Sequence, residues 1–284
     1  AMKARELGKK SVVVGDLVSI VGDISGDEGS LARVVMVLPR KNSLTRSIDD
    51  HANDERVIVA NIDQMAIVIA AANPEPRVGL VDRALVVAYD QGITPIIIMT
   101  KKDLADGSDF LQIYKDLDIL VFKIDKSSDL TALQKALLGK TTVLLGHSGV
   151  GKSTLVNNLL ASSTNRASES LFEKIDRATG DVNEVTGRGR HTTSSAIALP
   201  LSSSLDGRDF GWVIDTPGVR SFGIAHIQSA RVISSFPEFR EAISHCQKNC
   251  THNEVDCALN HWPSFTDQNL ARLASLRRVL SAGK

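Results

Sequence analysis

The sequence lacks several features that would place it in a common class of protein. No apolar run approaches the roughly 20 residues that a membrane-spanning helix needs, and the first residues do not form the apolar segment of a secretory signal. The 33 Lys and Arg residues balance the 33 Asp and Glu residues. Net charge therefore gives no argument for a nucleic-acid partner, which would have to bind local patches. We expect a globular cytoplasmic protein.

Cysteine is also scarce, and its placement excludes a disulfide framework. The three cysteines all lie in segment 246–257, and an odd number in one short cluster favours a metal site. Three thiolates and one imidazole are a donor set that Zn²⁺ takes in structural sites. The predicted ligands of one structural Zn²⁺ are Cys246, Cys250, His252 and Cys257. His245 and His261 could replace His252, and three reduced thiols without a metal are the other interpretation.

A complete phosphate-binding motif, G-x-x-x-x-G-K-S, occupies residues 146–153. It follows an apolar strand and opens a helix, so that backbone N–H groups and the positive helix end face the phosphates. Lys152 is predicted to reach the β- and γ-phosphates during catalysis, and Ser153 to ligate Mg²⁺. The predicted nucleotide contacts here are Gly146, His147, Ser148, Gly149, Val150, Gly151, Lys152, Ser153 and Thr154.

A second motif, Asp215-Thr216-Pro217-Gly218, follows another apolar strand. An Asp at that strand end would hold Mg²⁺ through water, and the N–H of Gly218 would contact the γ-phosphate. This D-x-x-G pattern is weak alone, but its position after a strand and downstream of a phosphate loop predicts the second switch of a GTPase.

A third motif, Thr100-Lys101-Lys102-Asp103, predicts the base-recognition element of a GTPase. The Asp103 carboxylate can accept hydrogen bonds from guanine N1–H and the exocyclic amine, a pair that adenine cannot supply. The stem of Lys101 can lie over the base. All four residues are predicted nucleotide contacts, although GTPases usually have Asn at the position of Thr100. A lysine-rich loop after a strand is the alternative interpretation.

The order of these motifs is unusual because base recognition precedes the phosphate loop. In ordinary GTPases the order is reversed. If all the motifs line one pocket, the chain must run through the sheet in circularly permuted order.

Residues 188–193 lie between the phosphate loop and Asp215, where a GTPase places its first switch. Thr192 and Thr193 compete for the role of the Thr that closes over Mg²⁺, and we favour Thr193. Val219 follows the D-x-x-G motif where many GTPases have a Gln that orients the attacking water. His191 is the nearest candidate for that catalytic role; a surface histidine is the alternative.

The chain divides into three predicted domains. Short strands and Gly-Asp turns in residues 1–60 predict a small β-barrel. Residues 61–224 alternate strands with helices, which predicts a mostly parallel α/β sheet. Residues 225–284 are helical around the cysteine cluster. The last helix carries Arg272, Arg277 and Arg278, which could stabilise the helix C-terminus or form a phosphate-binding surface.

Together these motifs resemble the ribosome small-subunit-dependent GTPase A family (RsgA, YjeQ-like), over nearly the whole chain. The resemblance includes segments 14–16, 38–41 and 61–64. It implies an N-terminal OB-fold, a permuted GTPase domain and a C-terminal zinc domain. GTP or GDP, Mg²⁺ and Zn²⁺ are the implied cofactors. His191 corresponds to the proposed catalytic position, and Thr193 to the Thr that senses Mg²⁺.

The resemblance also implies a function. It predicts an enzyme that hydrolyses GTP when stimulated by the small (30S) ribosomal subunit, in the late maturation of that particle. The expected partners are that subunit and its rRNA, with no membrane association, and we expect a monomer. A P-loop ATPase and a nucleotide-dependent RNA-binding module with little catalysis are the alternatives.

Overall fold

A computed structural model describes most of the chain. The described residues are 2–4, 7, 12–25, 29–47, 55–115, 117–161, 196–202, 210–216, 229–263 and 265–282. None of the helices in these segments is long and apolar enough to cross a membrane.

The N-terminal region consists of short strands, as its Val-rich runs and turn residues predicted. The strands are β1 (Met2–Lys3), β2 (Val18–Gly22), β3 (Ala32–Val37), β4 (Ser43–Ser47) and β5 (Glu55–Ala60). β3 lies between β1 and β2, while β4 and β5 form a separate antiparallel pair. At Gly15, whose φ is +88°, an added Cβ would lie 1.9 Å from the carbonyl oxygen of Ala60. Only glycine fits there.

The centre of the molecule is a six-stranded sheet with the order β10-β11-β9-β6-β7-β8. Its strands are β6 (Gln64–Ala70), β7 (Thr94–Thr100), β8 (Leu120–Lys123), β9 (Thr141–Leu145), β10 (Ile197–Ser202) and β11 (Phe210–Asp215). β10 is antiparallel to its neighbour β11, and the other neighbouring pairs are parallel. Continuous apolar runs form β6 and β7 because helices cover both faces of these strands.

Helices lie on both sides of this sheet. They are α1 (Val78–Asp90), α2 (Ser108–Gln112), α3 (Thr131–Leu137), α4 (Lys152–Ala161), α5 (Ser229–Ser234), α6 (Arg240–Ile243) and α7 (Asp267–Ala282). Alternate residues of β6 point to opposite faces. Ile67 packs in the core that includes residues of α1 and α7, and Val68 packs in the core that includes residues of α3 and α4.

The C-terminal helix α7 packs on α1 through a buried ionic cluster. An Arg272 N–H donates to Asp82 at 2.9 Å, and its Nε donates to Glu238 at 3.0 Å. The guanidinium also lies over the Phe236 ring, 4.4 Å from its centroid. Because Arg272 is only 3% exposed, it serves neither the helix C-terminus nor a phosphate-binding surface, the two roles that the sequence suggested.

Candidate nucleotide and metal sites

The three nucleotide motifs meet at one edge of the central sheet. β7 ends at Thr100, β9 ends directly before Gly146, and β11 ends at Asp215. These strands are mutually parallel through β6, so their carboxyl ends share an edge, where ligands of open α/β sheets bind. The strand that leads to the phosphate loop lies between β11 and β6 although it follows β6 and β7 in sequence. The permuted order is therefore compatible with a single pocket.

Glycines shape the phosphate loop between β9 and α4. At Gly146 an added Cβ would lie 2.3 Å from the carbonyl oxygen of Val68, so the loop starts in direct contact with the neighbouring strand. Gly149 and Gly151 have φ values of +81° and +94°, in the region that side chains disfavour. The N–H of Leu155 donates to the Gly151 carbonyl at 2.9 Å as α4 begins.

Lys152 is held inside this loop by its own backbone. Its Nζ donates to the carbonyl oxygens of Gly146 at 2.6 Å and His147 at 3.0 Å. Burial lowers the pKa of Lys152, and the nearby Asp215 carboxylate opposes that shift. A half-buried cation framed by phosphate-loop carbonyls is placed to bind a polyphosphate.

Asp215 provides an unsatisfied oxygen at the same edge. Within the described part of the chain, its buried Oδ1 has no hydrogen-bond partner. Burial raises the pKa of Asp215, while Lys152 and the Thr216 N–H lower it. The Thr216 hydroxyl donates to the Leu144 carbonyl at 3.0 Å, which ties β11 to the phosphate-loop strand. An unpaired carboxylate oxygen is a donor that suits Mg²⁺, and Ser153 lies exposed in the first turn of α4.

A cavity of about 290 Å³ lies beside the phosphate loop. It is lined by the base-recognition segment, the residues after β8 and the first turns of α4, and its lining includes Thr100, Lys101, Asp103, Asp125, Lys126, Thr154 and Asn158. Lys102 lies outside the lining and reaches towards Asp125, with Nζ 3.8 Å from Oδ2. Three of the four predicted base-recognition residues, Thr100, Lys101 and Asp103, thus line the same cavity as Thr154.

The segment after β8 contains none of the nucleotide contacts predicted from the motifs. Asp125 and Lys126 line the cavity nevertheless, because β8 is parallel to β7 and ends at the same edge. The Asp125 carboxylate accepts hydrogen bonds from the Ser127 N–H and hydroxyl and from the Ser128 hydroxyl, which hold its pKa below the usual value. The signal that could have found these residues is their position after a parallel strand.

Thr100 joins the cavity to the phosphate loop. Its hydroxyl donates to the carbonyl oxygen of Val150 at 2.5 Å. The carbonyl oxygen of Ile69, 3.2 Å away, is a second acceptor of the same hydroxyl. The residue is 6% exposed. The following Lys101 has a φ of +57°, and its Nζ donates to the Asn73 carbonyl. The base-recognition segment is therefore fixed to both neighbouring loops.

The remaining predicted residues of the switches lie outside the described part of the chain. They are His191, Thr192, Thr193, Gly218 and Val219.

The predicted zinc ligands converge in the C-terminal region. Cys246, Cys250, His252 and Cys257 place one donor atom each within 4.8 Å of one another. Cys246 Sγ lies 3.6 Å from His252 Nδ1 and 3.8 Å from Cys257 Sγ. A tetrahedron with Zn–S bonds of about 2.3 Å and a Zn–N bond of about 2.0 Å has edges of about 3.5 to 3.8 Å. The donor set and these two separations fit Zn²⁺.

The structure also distinguishes among the three candidate histidines. His252 is 5% exposed, adopts a φ of +64° and points Nδ1 at the cysteines. Arg277 donates from Nε to the His252 carbonyl at 2.8 Å, so the C-terminal helix braces this loop. His245 instead packs against Trp262, with ring centroids 5.0 Å apart. His261 is exposed and outside the cluster.

A phosphate loop, a D-x-x-G strand end and a base-recognition segment on one sheet edge, in permuted chain order, define a circularly permuted P-loop GTPase. Two solved structures have this fold. YjeQ from Thermotoga maritima matches with a TM-score of 0.65 at 24% identity, covering 98% of this chain and 87% of that one. YloQ, described as a circularly permuted GTPase, matches with a TM-score of 0.61 at 24% identity, covering 99% and 84%.

Sequence comparison gives the family. Residues 37–225 match the family model of the RsgA GTPase. The small ribosomal subunit biogenesis GTPase RsgA of Pseudomonas aeruginosa is 34% identical over 270 residues, which cover 91% of this chain and 73% of that protein. The protein of the same name from Gemmatimonas aurantiaca is 32% identical over 281 residues, covering 96% and 85%. The chain belongs to the RsgA GTPase family.

Proposed function

We propose that this chain binds the small ribosomal subunit and hydrolyses GTP in the late maturation of that particle. The observation that carries the proposal is the convergence of the three nucleotide motifs at one sheet edge. Relatives with 34% and 32% identity are named small ribosomal subunit biogenesis GTPases, which supports the choice of partner. We expect a monomer that works in the cytoplasm, where ribosomal subunits are assembled.

Each nucleotide group has a proposed partner at the site. Asp103 selects guanine, since its exposed carboxylate lines the cavity beside the phosphate loop. Lys152 binds the β- and γ-phosphates. The phosphate oxygens then accept the hydrogen bonds that Nζ donates to the loop carbonyls in the structure. Ser153 and Asp215 would hold Mg²⁺, and the unpaired Oδ1 of Asp215 is the observation that supports this assignment. When bound, Mg²⁺ neutralises charge that develops on the phosphates.

Switch residues outside the described part of the chain complete this proposed site. Thr193 would ligate Mg²⁺, and the Gly218 N–H would contact the γ-phosphate. Val219 cannot orient a water molecule, so we assign that task to His191. Because this arrangement lacks the Gln of many GTPases, we expect slow hydrolysis until the ribosomal partner orders the site.

The N-terminal region is proposed to provide contact with RNA, and the C-terminal region to bind zinc. We assign residues 1–60 to an OB-fold, 61–224 to the GTPase domain and 225–284 to a zinc domain. The short N-terminal strands and their two small sheets support the first assignment, and the Cys₃His cluster supports the last. One Zn²⁺, held by the four clustered ligands, would stabilise the fold of the C-terminal domain rather than take part in hydrolysis.

The deciding experiment compares GTP hydrolysis with and without purified small subunits. We expect low turnover by the chain alone and an increase of at least tenfold with small subunits, but no increase with large subunits. His191→Ala is expected to lose the stimulated rate while it retains GDP binding. Equal turnover with and without small subunits would refute the proposal, and full stimulation of His191→Ala would remove His191 from catalysis.

Base selection is tested separately by competition among GTP, ATP and XTP. The wild type should prefer GTP because the carboxylate of Asp103 accepts hydrogen bonds from guanine. Asp103→Asn replaces one acceptor oxygen with a donor and should shift preference towards XTP, whose xanthine has a carbonyl in place of the exocyclic amine. Asp106→Asn, at a neighbouring exposed aspartate outside the cavity lining, is the matched control. Equal affinity of the wild type for ATP and GTP would favour an ATPase.

A further inference from the structure

An open cleft of about 800 Å³ lies between helices α1 and α7, outside the nucleotide pocket. We call it the basic cleft, and define it by Arg83 of α1 and by Leu270, Ala274, Arg277, Arg278 and Ser281 of α7. Two of the arginines that the sequence left with alternative roles therefore lie beside a third from a different helix. Within the described part of the chain, no acidic side chain lines this cleft.

The α7 residues of the basic cleft recur at helical spacing and form one stripe along the helix. At 1.5 Å per residue, the stretch from Leu270 to Ser281 is about 16 Å long. A stacked nucleic-acid strand advances about 3.4 Å per nucleotide, so the stretch is as long as about four or five nucleotides. A single phosphate ion would occupy only a small part of this length.

The three arginines retain donors for a ligand. Arg83 is exposed and makes no hydrogen bond or ion pair among the described residues. The side chain of Arg278 is 52% exposed, and only its Nη2 is engaged, by Asp82 at 3.2 Å and Ser275 at 2.9 Å. Each guanidinium carries five N–H donors. Arg278 is thus held in position with part of its fork open.

Arg277 is held in a different way. Its Nε donates to the His252 carbonyl and its Nη2 donates to Asn260 Oδ1 at 2.5 Å. These contacts anchor Arg277 to the loop that contains a predicted zinc ligand. An arginine fixed before binding loses less conformational entropy when it meets its ligand.

The charges near the basic cleft do not cancel. Asp82 lies beneath it with a fully buried side chain and is already paired with both Arg272 and Arg278. Glu238 is paired with Arg272. The charged side chains that line the cleft itself are Arg83, Arg277 and Arg278, so its lining is positively charged.

We propose that the basic cleft binds the phosphate backbone of RNA. Arginine forks match phosphate oxygens in bidentate geometry, and the length of the cleft favours a polymer over a free phosphate. The choice of RNA over an acidic protein segment rests on the proposed function, since the relatives are named for biogenesis of a ribosomal subunit. The surface would contact RNA alongside the proposed N-terminal site.

The test measures binding of a fluorescently labelled 20-nucleotide single-stranded RNA of mixed sequence to the full chain at several salt concentrations. Arg83→Gln removes a cation that makes no hydrogen bond or ion pair with any described residue. We expect its affinity to fall about fivefold at 0.1 M salt and the salt slope to decrease by about 0.7, the contribution of one phosphate contact on a single strand. Arg83→Lys should restore much of the affinity, and Arg83→Gln/Arg278→Gln should lose more.

Lys135→Gln is the matched control, because Lys135 is an exposed cation on α3 at the opposite face of the sheet. It should leave the affinity and the salt slope unchanged. Equal losses in Lys135→Gln and Arg83→Gln, or no loss in the double variant, would overturn the proposal. If the variants unfold at the same urea concentration as the wild type, a loss of RNA affinity comes from the changed surface and not from a loss of stability.

Competitors identify the ligand chemistry. Inorganic phosphate should compete weakly, and polyglutamate of equal total charge should compete less well than unlabelled RNA. If either competitor matched RNA, the cleft would be a site for free phosphate or for an acidic protein segment instead. GTP hydrolysis stimulated by small subunits is measured on the same wild-type protein. If this stimulation is present but the cleft variants bind RNA normally, the cleft proposal fails while the proposed function stands.

Discussion

At the scale of single residues, Thr100 has a contact that its motif did not reveal. The motif suggested a nucleotide contact at a position where most GTPases have Asn. In the structure its hydroxyl is within 2.5 Å of the phosphate-loop carbonyl of Val150. The side chain thereby links the base-recognition segment to the phosphate loop, and a short hydroxyl can make this link because β7 and the loop are close.

Thr100→Val removes this hydroxyl at nearly constant volume. We expect the free energy of unfolding to fall by roughly 1–3 kcal/mol, because a buried carbonyl loses its donor, and we expect GDP affinity to fall as well. Urea unfolding and fluorescent GDP binding measure the two effects.

Thr142→Val supplies the comparison for Thr100. Thr142 is fully buried on β9, and its hydroxyl donates to Gln64 Oε1 at 3.2 Å. This variant should lose stability while GDP affinity stays unchanged. Equal losses of GDP affinity in both variants would show that Thr100 acts only through general stability.

At the scale of secondary-structure elements, helices α1 and α7 are joined by the buried cluster around Asp82. Burial raises the pKa of Asp82, whereas Arg272, Ser275, Arg278 and Tyr114 lower it. This environment makes the carboxylate dependent on its partners. The helix that follows the first strand of the GTPase sheet is therefore tied to the last helix of the chain.

Arg272→Met leaves the Asp82 carboxylate buried without its closest partner. We expect a loss of about 3–5 kcal/mol in the free energy of unfolding, as is usual when one partner of a buried pair is removed. Urea unfolding followed by circular dichroism measures it. Arg278→Met should cost less than about 1 kcal/mol, because that side chain is half exposed.

The double variant Asp82→Leu/Arg272→Met tests the cause of that loss. Removing both charges should recover most of the stability, since well-packed apolar residues can replace a buried ion pair. If the double variant were as unstable as Arg272→Met, the loss would come from packing against Phe236 and Tyr114 and not from an unpaired charge.

At the scale of the whole molecule, the C-terminal region combines a Cys₃His cluster that could hold a metal with the helix that packs on α1. Arg277 bonds to the loop that holds His252, and Arg272, five residues earlier in the same helix, bonds to α1. Loss of the metal would therefore weaken the support of α7 at one end. The zinc site and the interface between these helices should stabilise each other.

Metal analysis should find one Zn²⁺ per chain, and chelation should lower the unfolding temperature by several degrees, because structural zinc binding contributes directly to folding. His252→Ala should lose the metal. His245→Ala and His261→Ala should retain it. Zinc retained by His252→Ala but lost from either control would show that the ligand set is wrong.

The sequence by itself determined the local motifs of this protein and the permuted GTPase class that they indicate. Spacing identified the phosphate loop, the D-x-x-G and base-recognition motifs and the cysteine cluster with its candidate histidines, because each of these patterns is local in sequence. Uninterrupted apolar runs also predicted the buried parallel strands around residues 65–72 and 94–99. The permuted order of the motifs followed from reading them in chain order.

Only the tertiary structure decided contacts between residues that are far apart in sequence. It placed His252 rather than His245 or His261 among the cysteines, brought Asp125 to the cavity beside the phosphate loop and buried Arg272 against Asp82, 190 positions away. Sequence periodicity shows that a helix has an apolar face, but it does not show which helix will cover that face. Whether Arg272, Arg277 and Arg278 are buried or exposed depends on the side of α7 on which α1 packs.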